Sequence, residues 1–285
     1  MQIPIEALNL LMLNVGYAEH NADWNWKNVF SPFTRIFYVT EGRAYLHMHN
    51  TSCELRPNHL YIIPAYTMHD YECNEWFSHY YLHVYEAFKA ETNAFEFYDF
   101  PTEVDGSEVD RLLLDMMCQL HPEAQLPASD PTAYDNQSSF SGFVKRYNDM
   151  PLFDKMRLRG ATLTLFSRFL EHATPRMWTT NERMQKVLSY INNHICNDID
   201  IDELAEVACV TKPYLIRLFK QDLGSSPLKY INQKKVERAQ LLLITEEMTV
   251  KDIAYELGFN DYSYFIRMFK KTTGKTPQMY RNTMR

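Results

Sequence analysis

Residues 250–281 read VKDIAYELGFNDYSYFIRMFKKTTGKTPQMYR. Val250, Ile253, Ala254 and Leu257 recur at helical spacing, Gly258 supplies a turn, and Asn260 or Asp261 caps a second helix running to about Thr272. Phe265, Met268 and Phe269 share the inward face of that helix. Tyr262, Ser263, Tyr264, Arg267, Lys270 and Lys271 share the outward one. Two short helices joined this way form a helix-turn-helix unit.

The unit occurs twice. Residues 214–230 align with 264–280 at an offset of 50, with identities Tyr214/Tyr264, Ile216/Ile266, Arg217/Arg267, Phe219/Phe269, Lys220/Lys270, Gly224/Gly274, Pro227/Pro277 and Tyr230/Tyr280. Eight matches in 17 positions exceed the roughly one expected by chance and mark a duplication. Upstream the offset becomes 49, as at Ala205/Ala254, so the second copy has one extra residue in its turn. In the first copy Asp200 can cap a helix bearing Ile201, Leu204, Ala205 and Ala208 on one face. The turn Cys209-Val210-Thr211 leads to a second helix from about Lys212 to Asp222, which Gly224 stops. Leu215, Leu218 and Phe219 point inward, while Lys212, Pro213, Tyr214, Arg217 and Lys220 are placed to face out. Pro227 to Ile244 reads as one continuous helix between the copies.

The second helix of such a unit enters the major groove of DNA. Arg217 and Arg267 have the reach for bidentate contacts to guanine, each contributing about 1–3 kcal/mol of discrimination. Lys220, Lys270, Lys271, Lys275 and Arg281 suit phosphates, which add affinity without sequence information. Two recognition helices on one DNA face must lie about one helical turn apart, roughly 34 Å. The expected target is double-stranded DNA, read in two successive major grooves.

Charge divides the chain the same way. Residues 1–174 carry 12 Lys and Arg against 23 Asp and Glu, and residues 175–285 carry 17 against 13. An acidic half repels DNA and a basic half attracts it. The length of 285 residues suggests two domains, and 46% hydrophobic with 23% charged residues is an ordinary globular mix, which excludes a disordered or collagenous chain. No 18-residue apolar run indicates a membrane helix. The start, MQIPIEALNLLMLNVGY, has Glu6 and no early Lys or Arg, unlike a secretory signal. Cys53, Cys73, Cys118, Cys196 and Cys209 are odd in number and form no CxxC pair, so free thiols and a cytoplasmic location are expected.

The first half reads mainly as strands: Arg35–Thr40, Arg43–His49, His59–Ile63 and His79–Tyr85 are short, rich in Tyr, Val, Ile and Phe, and separated by turn residues. A small antiparallel barrel or sandwich is expected. His121 to Gly142 reads as a long loop, and Glu108–Leu120 and Asp154–His172 as helices. Thr174-Pro175, followed by Thr179-Thr180-Asn181, reads as a linker and a cap. The expected division is a domain at 1–172, a linker at 173–181 and an all-α domain at 182–285.

The stretch from about Met184 to Arg281 resembles the DNA-binding domain of the arabinose-operon regulator (AraC/XylS) family of bacterial transcription factors. The likeness rests on Ile253-Ala254, Gly258-Phe259, Asp261 to Phe265, Arg267, Phe269-Lys270-Lys271, Gly274, Thr276-Pro277 and Tyr280-Arg281. It implies a sequence-specific regulator, usually an activator, with RNA polymerase as a partner. Family base contacts carry over to Pro213, Ile216 and Arg217 in the first unit and to Tyr262, Ser263, Tyr264 and Arg267 in the second. Pro213 and Ile216 depart from the polar or large aromatic residues common there and offer apolar contacts, for example to a thymine methyl. The segments Arg35 to Gly42, Pro64 to His69 and Glu75-Trp76 resemble the cupin-type barrel that precedes this domain in the family. Such a barrel holds one small molecule. By that similarity Met68, Asp70 and Tyr80 fall near pocket positions, Trp24 and Trp26 lie in an arm that can cover the pocket, and a carbohydrate suits the aromatic faces. The two helices can also pair between subunits, which makes a homodimer the expected assembly.

A rival reading is a metal-dependent cupin enzyme fused to a DNA-binding module. His47-Met48-His49 places two imidazoles on one strand face, and Glu54 and His69 are candidates to complete a set. A metal cupin, however, carries its His-x-His before the Tyr-Val-x-x-Gly segment, and here the pair follows Gly42. No acid–base pair, catalytic triad or GxGxxG loop is present. Neither a cofactor nor a catalytic residue is therefore expected. A third reading is a structural DNA-binding protein that takes no ligand.

Overall fold

Alternating apolar residues in the first half build two facing sheets. In the computed structural model, which describes residues 5, 8–48, 51–86, 94–135, 137–176, 181–245 and 248–283, the chain forms two units. One comprises Asn9–Phe88 and Asp99–Thr174, and the other Met1–Leu8, Lys89–Tyr98 and Pro175–Arg285.

The first unit contains β1 (Leu10–Asn21), β2 (Trp26–Val29), β3 (Thr34–Gly42), β4 (Ala44–Met48), β5 (Thr51–Leu55), β6 (His59–Ile63), β7 (His69–Glu72), β8 (Trp76–Glu86) and β10 (Glu103–Asp105). A five-stranded sheet runs β1-β8-β3-β6-β10 and a four-stranded sheet β2-β7-β4-β5, with antiparallel pairing. Successive side chains on a strand point to opposite faces. Phe37, Val39, Tyr61, Ile63, Phe77 and Tyr81 from the first sheet therefore meet Val29, Ala44, Leu46, Leu55 and Tyr71 from the second in a common core. Helices α2 (Glu108–Leu120), α4 (Gln137–Asp149) and α5 (Leu152–Glu171) pack on β1 of the larger sheet.

The expected barrel forms, with three differences. No strand is expected before Arg35, yet Leu10–Asn21 is a full strand paired along β8, and Trp26 of the expected arm opens β2. Met12 to Val15 are all buried, with α2, α4, α5 and the 3₁₀ turn at Pro122–Ala124 packed on the strand, so it lacks the alternation that marks a half-exposed strand. The expected loop at 121–142 contains a 3₁₀ turn at Pro122–Ala124, α3 (Pro131–Tyr134) and the start of α4. Ser and Gly dominate that start, but Phe140, Phe143 and Tyr147 recur at helical spacing and are buried, and packing overrides local propensity. Finally, α1 (Ala94–Phe97) with Tyr98 of the two-residue strand β9 (Tyr98–Asp99) clusters with the C-terminal helices, although it lies between β8 and β10 in sequence. β9 pairs with β11 (Thr174–Pro175). Thr179 and Thr180 lie outside the described residues.

The second unit contains α6 (Glu182–Asn193), α7 (Ile201–Val207), α8 (Lys212–Leu223), α9 (Pro227–Thr245), α10 (Val250–Glu256), α11 (Tyr262–Thr273) and α12 (Pro277–Thr283). Asn181 and Asp200 cap α6 and α7 with their side chains, and Gly224 and Gly274 end α8 and α11 in the left-handed conformation. Met184, Val187, Leu188, Ile191, Leu204, Leu215 and Phe219 form the core of its first half, and Phe97 is buried among them.

Candidate functional site

The duplication is visible atom by atom. In each copy a backbone amide just past the turn donates to the alanine that begins it, Val210 N to Ala205 O at 2.9 Å and Phe259 N to Ala254 O at 3.0 Å. The turn residue before that amide has positive φ in both, Cys209 at 51° and Gly258 at 66°. Two units of one geometry therefore present α8 and α11.

On α8, Leu215, Leu218 and Phe219 are buried, while Lys212, Pro213, Tyr214, Arg217 and Lys220 are exposed and Ile216 is half-buried. The Arg217 guanidinium lies 5.0 Å from the centre of the Tyr214 ring, and Lys212 Nζ pairs with Asp202 Oδ2 at 2.9 Å. On α11, the Asp261 carboxylate accepts from the amides of Ser263 at 2.7 Å and Tyr264 at 3.2 Å. Ser263, Tyr264, Arg267, Lys270 and Lys271 are exposed and Tyr262 is half-buried. Arg267 lies 3.9 Å from Asp261. The outward-facing set from each sequence copy thus occupies one surface of its helix. Met268, placed inside by the pattern, is half-buried. Arg281 does not serve a phosphate: it is buried, and its guanidinium donates to the carbonyls of Leu243 at 3.3 Å and Met248 at 2.7 Å, closing the end of α9.

The second site lies between the sheets of the first unit. A cavity of about 150 Å³ is walled by Tyr17, His20, Trp24, Phe37, Tyr71, His79, Tyr81 and His83 from the strands and their connections. Gln125, Leu126, Ala128, Ser129 and Tyr134 cover it. Trp24 stacks on Tyr71 with ring centres 3.9 Å apart. Tyr81 Oη accepts from the amide of Leu126 at 2.8 Å, tying the cover to β8. Burial lowers the pKa of His20 and takes His79 and His83 well below the ordinary imidazole value, with His20 adding to the effect at His79 and Arg35 at His83. These imidazoles are neutral at pH 7, and Nδ1 of His79 and of His83 has no hydrogen-bond partner among the described residues. Arg35 and Asp135 form a buried ion pair at 2.9 Å; Ser31 hydrogen-bonds both. That pair fixes the end of α3 behind the cover.

Trp24 lines this cavity and Trp26 packs half-buried on the barrel core. Met68, Asp70 and Tyr80, expected near the pocket, lie elsewhere. Met68 is exposed, and Asp70 pairs with Lys27 at 3.5 Å and accepts from the Asn28 amide at 2.7 Å. Tyr80 Oη donates to Asp115 of α2 at 3.3 Å. The reason is strand period: His79, Tyr81 and His83 face inward on β8, so Tyr80 faces α2, and on β7 Tyr71 faces inward while Asp70 does not. The alternation His79-x-Tyr81-x-His83 was the signal that could have found the cavity set.

The residues of the metal reading do not converge. His47 is half-exposed and pairs with Glu72 at 3.1 Å, Glu54 pairs with Arg43 at 3.6 Å, and His49 lies outside the described residues. Both ring nitrogens of His69 are engaged, by Thr67 O at 2.8 Å and Tyr71 Oη at 2.8 Å. Among the described residues no three His, Cys, Asp or Glu side chains are grouped to hold a metal. Nor is any helix among them long and apolar enough to cross a membrane.

Residues 204–283 match the family described as a helix-turn-helix domain, and residues 14–132 match the AraC-like ligand binding domain. Neither is an enzyme family. The arabinose operon regulatory protein of Escherichia coli (strain K12) is 34% identical over 102 residues, 35% of this chain and 35% of that protein. The xylose operon regulatory protein of the same strain is 29% identical over 103 residues, 36% of this chain and 26% of that protein. Among solved structures, the C-terminal domain of AraT, a response regulator from Geobacillus stearothermophilus, is 32% identical with a TM-score of 0.35, over 36% of this chain and 86% of that one. The chain spans about a third of the length of the curated relatives it matches.

Proposed function

We propose, for a chain that belongs to the AraC family by its AraC-like ligand-binding and helix-turn-helix domains, that it is a sequence-specific DNA-binding transcription regulator switched by a small molecule. The observation that carries this reading is the pair of equivalent helices α8 and α11, each exposing an arginine, a tyrosine and a lysine at matched positions. Genome-wide footprinting of the tagged protein in its native cell tests it. A few sharp sites beside promoters, each covering two successive major grooves, are expected; diffuse, sequence-blind occupancy would sink it.

The two kinds of contact should separate by mutation. Arg267→Ala is expected to cost about 1–3 kcal/mol at one base position and to relax specificity there. Lys270→Ala should weaken all sequences alike and reduce the slope of log K against log salt by about 1. Binding assays across a salt series on matched and mismatched operators read both. Equal loss on all sequences from Arg267→Ala would remove it from the base-reading set.

The names of the arabinose and xylose operon regulators support a carbohydrate as effector. So does the cavity. Its volume is that of a void that holds a single six-membered ring, about 150 Å³. Its lining supplies aromatic faces and neutral hydrogen-bonding groups, with no Lys, Arg, Asp or Glu among the described residues. Neutral pentoses or hexoses are therefore expected to raise the melting temperature of the protein, with about 2.7 kcal/mol of stabilisation at a hundredfold excess over Kd. The corresponding sugar acids should not, because no Lys or Arg among the described residues lines the cavity to offset their desolvation. A shift produced by the acids alone would overturn this choice of class. Such a molecule acts as a switch only if it binds two arrangements of the protein with different affinity.

Val109, Leu112 and Leu120 form an exposed apolar stripe on α2. This supports a homodimer through that helix, for which Leu112→Glu is expected to give monomers in sedimentation at concentrations where the parent is dimeric; an unchanged dimer would place the contact elsewhere. The free cysteines support a cytoplasmic location. RNA polymerase as partner, and activation rather than repression, rest on the family resemblance.

A further inference from the structure

Between the two helix-turn-helix units lies a buried junction. Lys235, midway along α9, is buried, with 4% of its surface exposed. Its Nζ donates to Asn197 O at 2.7 Å, in the connection ahead of α7, and to Gly258 O at 3.4 Å, in the turn of the second unit. The ammonium also lies 5.0 Å from the centre of the Phe259 ring. One side chain on the linking helix thus bonds both units at once.

The backbones it joins are themselves in contact. A Cβ on Gly258 would stand 2.5 Å from Asn197 C and 2.7 Å from Cys196 O, so nothing larger than glycine fits there without moving one unit from the other. At the rim, Asn260 Nδ2 donates to Asp198 Oδ2 at 2.7 Å and Asn232 Nδ2 donates to Tyr264 Oη at 2.8 Å. Each unit also packs on α9, but a cylinder alone leaves a packed unit free to roll around it. Two carbonyls from opposite units converging on one ammonium remove that freedom.

A buried ammonium costs several kcal/mol to desolvate and is a poor means of adding stability alone. We propose that Lys235 is a positioning residue for DNA recognition: it fixes the separation and phase of α8 and α11, so that both reach successive major grooves of one duplex face. The proposal rests on the DNA-binding reading above. Binding by the second unit is then intramolecular, at an effective concentration that a fixed geometry keeps high and a loosened one lowers.

The test is selection of bound sequences from a random duplex pool by the full chain. The parent protein should select two sequence elements at one spacing, about 10–10.5 base pairs centre to centre. Lys235→Met keeps the stem and removes every donor. It should select the same two elements at scattered spacings and lose about tenfold or more in affinity for the parent's site, while a duplex carrying one element binds equally well to both proteins. Lys235→Arg, which restores donors and charge, should restore the single spacing. A merely structural lysine would lower affinity for one-element and two-element duplexes together. That result, or an unchanged spacing for a folded Lys235→Met protein, overturns the proposal. If Lys235→Met fails to fold by circular dichroism, Lys235→Gln, which removes the charge and shortens the side chain but keeps a polar group in the site, is read instead: scattered spacings support the proposal and a single spacing overturns it. If the parent itself selects no two-element site, the two-groove reading fails with it, a result distinct from failure of the lysine's role.

Discussion

Acidification from pH 7 to pH 5 is expected to cost the barrel several kcal/mol. His20, His69, His79 and His83 are all buried, with 2–3% of each exposed. Burial is the leading cause of a lowered pKa at each, taking His69 to about 3 and His79 and His83 well below the ordinary value; Arg35 adds its charge at His69 and His83. The folded state keeps these rings neutral while the unfolded chain protonates them near pH 6.5, so stability is complete above that pH and lost as the pH falls below it. The limiting slope is about 1.4 kcal/mol per pH unit for each histidine. Four rings between pH 6.5 and 5 set a ceiling of about 8 kcal/mol. The His20–Asp23 pair at 3.3 Å and the raised pKa of buried Asp135 oppose the trend and keep the loss below that ceiling. Thermal melts at pH 7.5, 6.5 and 5.5 should show the barrel transition falling by more than about 10 °C across the series. A flat profile would mean that the rings reach water in the folded state.

Asp135→Ala should destabilise the same unit by about 3–5 kcal/mol. The substitution strands the Arg35 guanidinium, which has 1% side-chain exposure and cannot shed its proton. Ser31 Oγ at 2.7 Å and the face of Phe33 at 4.8 Å remain as partners, neither of them anionic. Removing both charges is a different matter, since an apolar pair of similar volume is often close to neutral. Arg35→Met/Asp135→Leu should therefore recover most of the loss in a denaturant melt. Equal destabilisation by the single and double variants would mean that packing, not the stranded charge, sets the cost. Because Asp135 ends the segment covering the cavity, Asp135→Ala should also raise hydrogen exchange at Leu126, whose amide is held by Tyr81.

The two halves differed in how much their residues disclosed. In the helical half several boundaries had a local cause that a single residue announces, Asp200 and Asp261 as caps and Gly224 and Gly274 as stops, and a repeat states many of the features twice. α9 likewise ends within a residue of the expected position. In the barrel, strands with one open face were legible by alternation, as at His59–Ile63. β1 was not, since the pattern disappears when both faces are covered. The cavity residues were hidden differently. Tyr80 and Tyr81 are equivalent in composition, and only the register of β8 against β3 decides which one meets the cavity. Lys235 was one of two adjacent lysines in a polar stretch, and no local pattern separates it from exposed Lys229. Its role depends on two carbonyls far from it in sequence.

The burial of Phe97 bears on modularity. The ring that completes the core around Met184, Val187 and Leu188 is encoded between two barrel strands, about eighty residues upstream of the helices it stabilises. The helical half therefore draws part of its core from outside its own continuous stretch. A fragment beginning at residue 175 would carry a void of one phenylalanine in its core, a loss of about 3–5 kcal/mol on the scale of buried Phe→Ala changes. A fusion that joins a foreign domain to these helices at the connection near residue 175 would inherit the same defect, unless the incoming domain brings an aromatic residue to that place. The segment between β8 and β10 and the helical half thus share one core, and a change of volume in either is felt by both.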